Sequence, residues 1–207
     1  DNNLDYKPTQ ICVSNGAKQS IINVLSAIIN DGDEVILPAP YWVSYDEMVK
    51  LVGGTSVFIQ TSIDTEFKIT AEQLEKAITP KTKALLYSSP CNPSGSYYTG
   101  EELEAIANVI AKYPDITIIS DEIYEFINYE GKHVSIASFP QVYEQTAVIN
   151  GMSKAFAMTG WRIGYSACPE WLAKACDKVQ GQMTSGANTV AQRASITAMQ
   201  MDPSELQ

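Results

Sequence analysis

One lysine, Lys154, lies in "GMSKAFAMTGWRIG" among small and apolar residues, with Arg162 eight positions later. A lysine amine held away from water gives up its proton more readily and becomes a nucleophile or a base. A surface lysine whose stem lies along apolar neighbours gives the same local pattern, so the other segments must decide. Asp121 follows the apolar run "DITIIS", where a carboxylate is costly to bury unless a cation or a donor meets it. Tyr124, three residues on, shares that pocket if the chain turns helically after the strand. In "SSPCNPSG" two prolines and a glycine fix a turn, and the Asn92 amide can either serve a ligand or close its own Asx-turn. "PAPYWVSY" uses prolines to deliver Tyr41 and Trp42, as a stacking plate for a flat heteroaromatic ring or as buried core. "SNGAKQSII" opens a helix at Gly16 and Ala17, which suits a phosphate on the helix amides or an ordinary glycine N-cap. Its glycine spacing fits neither a Walker loop nor the dinucleotide fingerprint.

Short β-branched runs alternate with helical patterns, the signature of βα units around a parallel sheet. Strands are expected at Gln10–Val13, Glu34–Leu37, Thr55–Ile59, Ala84–Tyr87, Thr117–Ser120, Ala147–Asn150 and Ile163–Ala167. Ile21, Leu25, Ile28 and Ile29 recur at helical spacing until Gly32, and Thr99 with Glu102 forms a capping box ahead of Leu103, Ile106 and Ile110. Further helices are expected over Trp171–Val179 and Val190–Met201. The fold class is α/β, a three-layer α-β-α sandwich around a mostly parallel seven-stranded sheet. Such sheets bind ligands outside the carboxyl ends of their strands, and every segment above sits at a strand exit. A phosphate cradle, an aromatic plate, a carboxylate, a phenol, an amide and a lysine gathered there form the set that pyridoxal 5′-phosphate requires.

Composition narrows the alternatives. With 14 basic and 24 acidic side chains in 207 residues, the net charge of −10 repels nucleic acid and anionic membranes. Cys12, Cys91, Cys168 and Cys176 form no CxxC pair and His133 is the only histidine, which argues against a metal site or a disulfide framework. Reduced thiols and a cytoplasmic location are expected. No apolar run has membrane-spanning length and no signal-peptide pattern opens the chain. The first residues lack an initiator methionine and the last follow a helical pattern directly, so both ends read as cut.

The segments "GMSKAFAMTGWRIG", "PAPYWVSYDEMVKLVGG", "NPSG", "SDEIYE" and "ITPKTKALL" together resemble the large domain of class I aminotransferases, fold-type I pyridoxal-phosphate enzymes. The similarity is nearest to the prokaryotic-type aspartate aminotransferase subgroup and runs from about Gln10 to about Met199. The resemblance implies that Lys154 is the Schiff-base lysine and proton carrier, in a pocket that desolvates it, and that Asp121 pairs with the pyridine nitrogen. It implies that Tyr124 and Asn92 hydrogen-bond the phenolic oxygen, that Trp42 stacks on the ring, and that Arg162 clamps the phosphate with the amides of Gly16, Ala17 and Lys18. Trp42 and Asn92 also border the substrate on this reading. The implied activity is transfer of an amino group between an amino acid, aspartate or glutamate, and a 2-oxo acid, in a homodimer. "MTSGANTVAQ" is similar to a segment that approaches the neighbouring subunit's cofactor.

Three departures stand out. Many relatives carry a hydroxyl three residues before the lysine; here that position is Gly151, and Ser153 is the candidate replacement on the phosphate. Cys91 precedes Asn92 where the subgroup more often has a polar residue. The small-domain arginine that grips the substrate carboxylate has no counterpart, since Arg193 has no family match. Residues 1–207 therefore read as the cofactor-binding large domain, with the C-terminal small domain absent. A transaminase and a cofactor-binding domain without turnover both remain open, as do aromatic and alanine transaminases.

Overall fold

A computed structural model describes residues 2–129 and 131–202. Seven strands form one sheet: β1 (Ile11–Ser14), β2 (Glu34–Ala39), β3 (Thr55–Gln60), β4 (Thr82–Ser88), β5 (Thr117–Asp121), β6 (Thr146–Gly151) and β7 (Gly164–Ala167). Six α-helices join or follow them: α1 (Ala17–Ile28), α2 (Ser44–Leu51), α3 (Ala71–Ala77), α4 (Gly100–Ile110), α5 (Glu170–Met183) and α6 (Thr189–Met199). The spatial order is β1-β7-β6-β5-β4-β2-β3, parallel throughout except that β7 runs against both β1 and β6.

The strands alternate their side chains between two cores. Val35 and Leu37, Leu86, and Ile119 face a core shared with α1, α2 and α5, while Ile36, Leu85 and Ile118 face one shared with α3 and α4. This gives the expected three layers. On α1 the buried stripe is Ile21, Val24 and Leu25, spaced three and four apart, and each such fully buried side chain contributes about 1.5–3 kcal/mol. The Thr99–Glu102 capping box forms: the Thr99 amide donates to Glu102 Oε2 (2.8 Å) and the Glu102 amide to Thr99 Oγ1 (3.3 Å).

Several boundaries differ from the sequence reading. α1 stops at Ile28, and Ile29 is extended but still buried, so an apolar residue that looks helical instead covers the core from the connection. α5 runs on to Met183 because Gln180 is buried and bonded at both ends of its amide, to Asn23 (2.9 Å) and to the Val13 carbonyl (2.7 Å). Helices α2 and α3 escape the apolar-periodicity reading. α3 buries a single apolar residue, Leu74, and opens on a Thr70–Gln73 capping box.

The reversal of β7 matters for the site. Strands β2, β4, β5 and β6 point their carboxyl ends toward one edge, and β1, antiparallel to β7, ends there too. β7 begins there, so the residues just before it, including Arg162, reach the same edge.

Candidate active site

A cavity of about 210 Å³ opens at that edge, lined by Ala17, Lys18, Trp42, Asn92, Asp121, Tyr124, Ser153, Lys154 and Arg162, together with Tyr45, Ser88, Ile123 and Thr159. Of the residues that the resemblance assigns to the cofactor, all but one border it directly. The exception, Gly16, lies immediately behind: its φ is +84°, and a Cβ there would stand 2.2 Å from Arg162 Nη2. The glycine thus leaves room for the guanidinium, which also donates to the carbonyls of Thr159 (2.9 Å) and Asn15 (3.4 Å). No side chain caps α1 at Gly16, so its first amides and the positive end of its dipole face the same place as Arg162. Gly164 is needed for a similar reason, since a Cβ there would meet the Ala17 nitrogen at 2.2 Å.

Asp121 ends β5 almost fully buried. Tyr45 donates its hydroxyl proton to Oδ2 at 2.6 Å, and the Ile123 amide donates to Oδ1 at 3.3 Å. Burial pushes the carboxyl up to about 6, against the downward pull of those two donors and of the Lys154 charge, with Glu122 adding to the rise. Behind it, Glu122 accepts from Ser120 (2.9 Å) and Ser135 (2.7 Å) and lies 2.9 Å from His133 Nε2. Glu125 accepts from Asn2 (2.5 Å) and Asn150 (2.7 Å), so the turn carrying Tyr124 is anchored on both sides. The Glu122, Glu125 and His133 ligand atoms lie within 4.8 Å of one another, but these hydrogen bonds engage them as a structural network.

Trp42 is half-buried, edge-on to Tyr45 (5.6 Å, 87°), with Lys18 Nζ 4.8 Å from its ring centroid. Tyr41, delivered by the same turn, points elsewhere and stacks on Phe58 (5.3 Å, 12°). The Asn92 turn is closed by backbone bonds, Gly95 to Cys91 and Cys91 to Ser96, both 2.8 Å, and the Asn92 side chain lines the cavity. Lys154 Nζ lies 5.4 Å from the Tyr124 ring centroid. It is exposed, so these residues do not supply the desolvation expected for it. At Gly151 a Cβ would come 2.7 Å from the Ile163 carbonyl oxygen, which bars a hydroxyl-bearing residue there, whereas Ser153 is buried and borders the cavity.

Sequence reasoning missed Tyr45. Its signal was present in the spacing of Tyr45, Met48 and Val49, three and four apart on one helical face, but only Tyr41 and Trp42 of the segment were weighed for the site.

The donor set fits pyridoxal 5′-phosphate. A carboxylate buried with only neutral donors in contact calls for a cationic N–H, and the Gly16–Arg162 cradle calls for an anion. The fold and this cavity define an α/β protein whose candidate site lies at the carboxyl ends of its parallel strands. The sequence profile described as aminotransferase class I and II matches residues 1–207, and the chain belongs to that family. It is 50% identical over 200 residues to the bifunctional aspartate aminotransferase and glutamate/aspartate-prephenate aminotransferase of Petunia hybrida, covering 96% of this chain and 42% of that protein. It is 48% identical to the aspartate aminotransferase of Geobacillus stearothermophilus, covering 96% and 51%. The solved aspartate aminotransferase of Rhizobium meliloti superposes with a TM-score of 0.97 at 41% identity, covering 99% and 52%. An aromatic aminotransferase from Pyrococcus horikoshii OT3 superposes with a TM-score of 0.94 at 39% identity, covering 99% and 56%. The chain spans about half the length of the curated relatives it matches. Among the described residues no helix is long and apolar enough to cross a membrane.

Proposed function

We propose that this chain is the cofactor-binding large domain, residues 1–207, of a pyridoxal-phosphate-dependent transaminase that passes an amino group between aspartate or glutamate and a 2-oxo acid. The observation that carries the proposal is the meeting of Lys154, Asp121, Trp42 and Arg162, from four separate strand termini, around one cavity. Pyridoxal 5′-phosphate supplies an aldehyde that condenses with amines and a protonated ring that takes up electrons from a substrate Cα–H bond. Arg162 and the amides of Gly16, Ala17 and Lys18 would hold the phosphate, with Ser153 adding a hydroxyl. Trp42 would cover the ring, and Tyr124 and Asn92 would donate to its phenolic oxygen. Asp121 would keep the proton on the ring nitrogen, and Lys154 Nζ would carry the proton to and from the substrate Cα. Trp42 and Asn92 would also border the bound substrate. The name of the Petunia hybrida relative adds prephenate to the candidate acceptors. A homodimer in the cytoplasm is the setting proposed.

A second reading, a cofactor-binding domain without turnover, is favoured by the exposure of Lys154. One experiment separates the two. The purified chain is mixed with pyridoxal 5′-phosphate and its visible absorbance recorded; aspartate and 2-oxoglutarate are then added and glutamate is assayed. A new absorbance band with glutamate formation supports the transaminase, and the band without glutamate supports the second reading. A folded chain giving neither contradicts both.

A further inference from the structure

Tyr45 has no part in the reading above, yet it makes the shortest hydrogen bond to Asp121. It comes from α2, a different element from the strand that carries the carboxylate, and it is fully buried, so its hydroxyl has no competing water. Its bond to Oδ2 (2.6 Å) and the longer bond from the Ile123 amide to Oδ1 (3.3 Å) place one donor on each oxygen. Two donors on two oxygens fix both the plane and the rotation of the carboxylate, leaving its remaining lone pairs for the cavity. The turn into α2 ties two site groups together: the Tyr45 amide donates to the carbonyl of Trp42, which precedes the helix (2.9 Å), and the Trp42 ring stands edge-on to the phenol.

We propose that Tyr45 is a positioning residue, which by donating to Asp121 Oδ2 holds that carboxylate ionised and aimed at the ring nitrogen of the cofactor. The proposal rests on the function inferred above. A phenol suits the task because it stays a donor. Burial and the adjacent Asp121 charge push the Tyr45 hydroxyl well above its ordinary range, so it keeps its proton wherever Asp121 has lost its own. The charged and titratable groups around the pair are Glu122 and Lys154 about Asp121, and Cys91 about Tyr45.

The test removes only the hydroxyl, with Tyr45→Phe. In the ligand-free chain labelled with ¹³C-aspartate, the Asp121 carboxyl should titrate at least about one pH unit above the parent, because a charge-assisted hydrogen bond has been lost. Tyr87→Phe, which removes a buried hydroxyl bonded to Ser120 (3.1 Å) in the core shared with α3 and α4, should leave that titration unchanged. In the loaded chain, ¹⁵N in the cofactor ring should move toward its unprotonated shift in Tyr45→Phe. If Tyr45→Phe does not fold, 3,5-difluorotyrosine at position 45 keeps the ring, strengthens the donor and should lower the Asp121 titration instead. An unchanged Asp121 titration overturns the proposal, and so does a ring nitrogen indifferent to Tyr45→Phe. A parent chain that binds no pyridoxal phosphate sinks the proposed function, whereas the ligand-free titration still decides whether Tyr45 governs Asp121.

Discussion

Replacing Asp121 by asparagine should stabilise the ligand-free chain at neutral pH while removing the carboxylate that the proposed function requires. Burial raises Asp121 from the ordinary value of 3.8 to about 6. A group that holds its proton more tightly in the folded state contributes stability that is complete below 3.8 and is lost as the pH rises through about 6. The interval from 3.8 to about 6, at ~1.4 kcal/mol per pH unit, makes the ionised carboxylate cost about 3 kcal/mol above that range. Asparagine carries no such charge and fits the same partners: its carbonyl oxygen can accept from the Ile123 amide, and its NH₂ can donate to the Tyr45 oxygen. Urea unfolding of both chains without cofactor, followed by tryptophan fluorescence from pH 4 to pH 8, measures the difference. The asparagine chain should be more stable by about 2–3 kcal/mol at pH 8, with the gap closing toward pH 4. A gap that is constant across this range, or an asparagine chain less stable at pH 8, would refute the argument that Asp121 is held ionised at a cost.

Arg162→Ala should weaken pyridoxal 5′-phosphate binding roughly 30-fold, the equivalent of about 2 kcal/mol for a charge-assisted contact, and leave pyridoxal nearly unaffected; equilibrium dialysis of the two compounds checks this. Gly164→Ala places a Cβ 2.2 Å from the Ala17 nitrogen and 2.4 Å from the Gly16 carbonyl carbon. Both neighbours are backbone, so α1 must shift, with a loss of about 2–3 kcal/mol in urea unfolding and weaker phosphate-dependent binding. Thr99→Ala removes the α4 cap and should cost about 1 kcal/mol in the same assay, with cofactor affinity unchanged because Thr99 does not line the cavity.

The sheet was legible because its central strands are short β-branched runs buried on both faces, as in Thr117–Asp121 and Thr146–Gly151. The reversed direction of β7 was not written in its own residues. It goes with the short connection after Gly151, residues 152–163, which is half the length of residues 122–145 that return the chain from β5 to the parallel β6. Among the candidate site residues, Trp42, Asn92 and Asp121 were legible because each stands near a proline or at the end of an apolar run, whereas Lys18, Ser153 and Arg162 came only through the resemblance. Tyr45 was not, because an aromatic residue on a helical face looks like core, and only the fold shows that its hydroxyl reaches Asp121. Gly151 and Gly164 were visible as glycines, but their necessity lies in the pairing of β6 with β7 and the approach of α1, contacts between segments distant in sequence.

Lys154 is the amine proposed to meet the cofactor, and every other role in the site is defined by its place around that amine. Borohydride reduction of the chain loaded with pyridoxal 5′-phosphate, followed by peptide mapping, tests it: the stable pyridoxyl label should fall on the peptide carrying Lys154. A label on Lys18 or any other amine, with Lys154 unmodified, would contradict it.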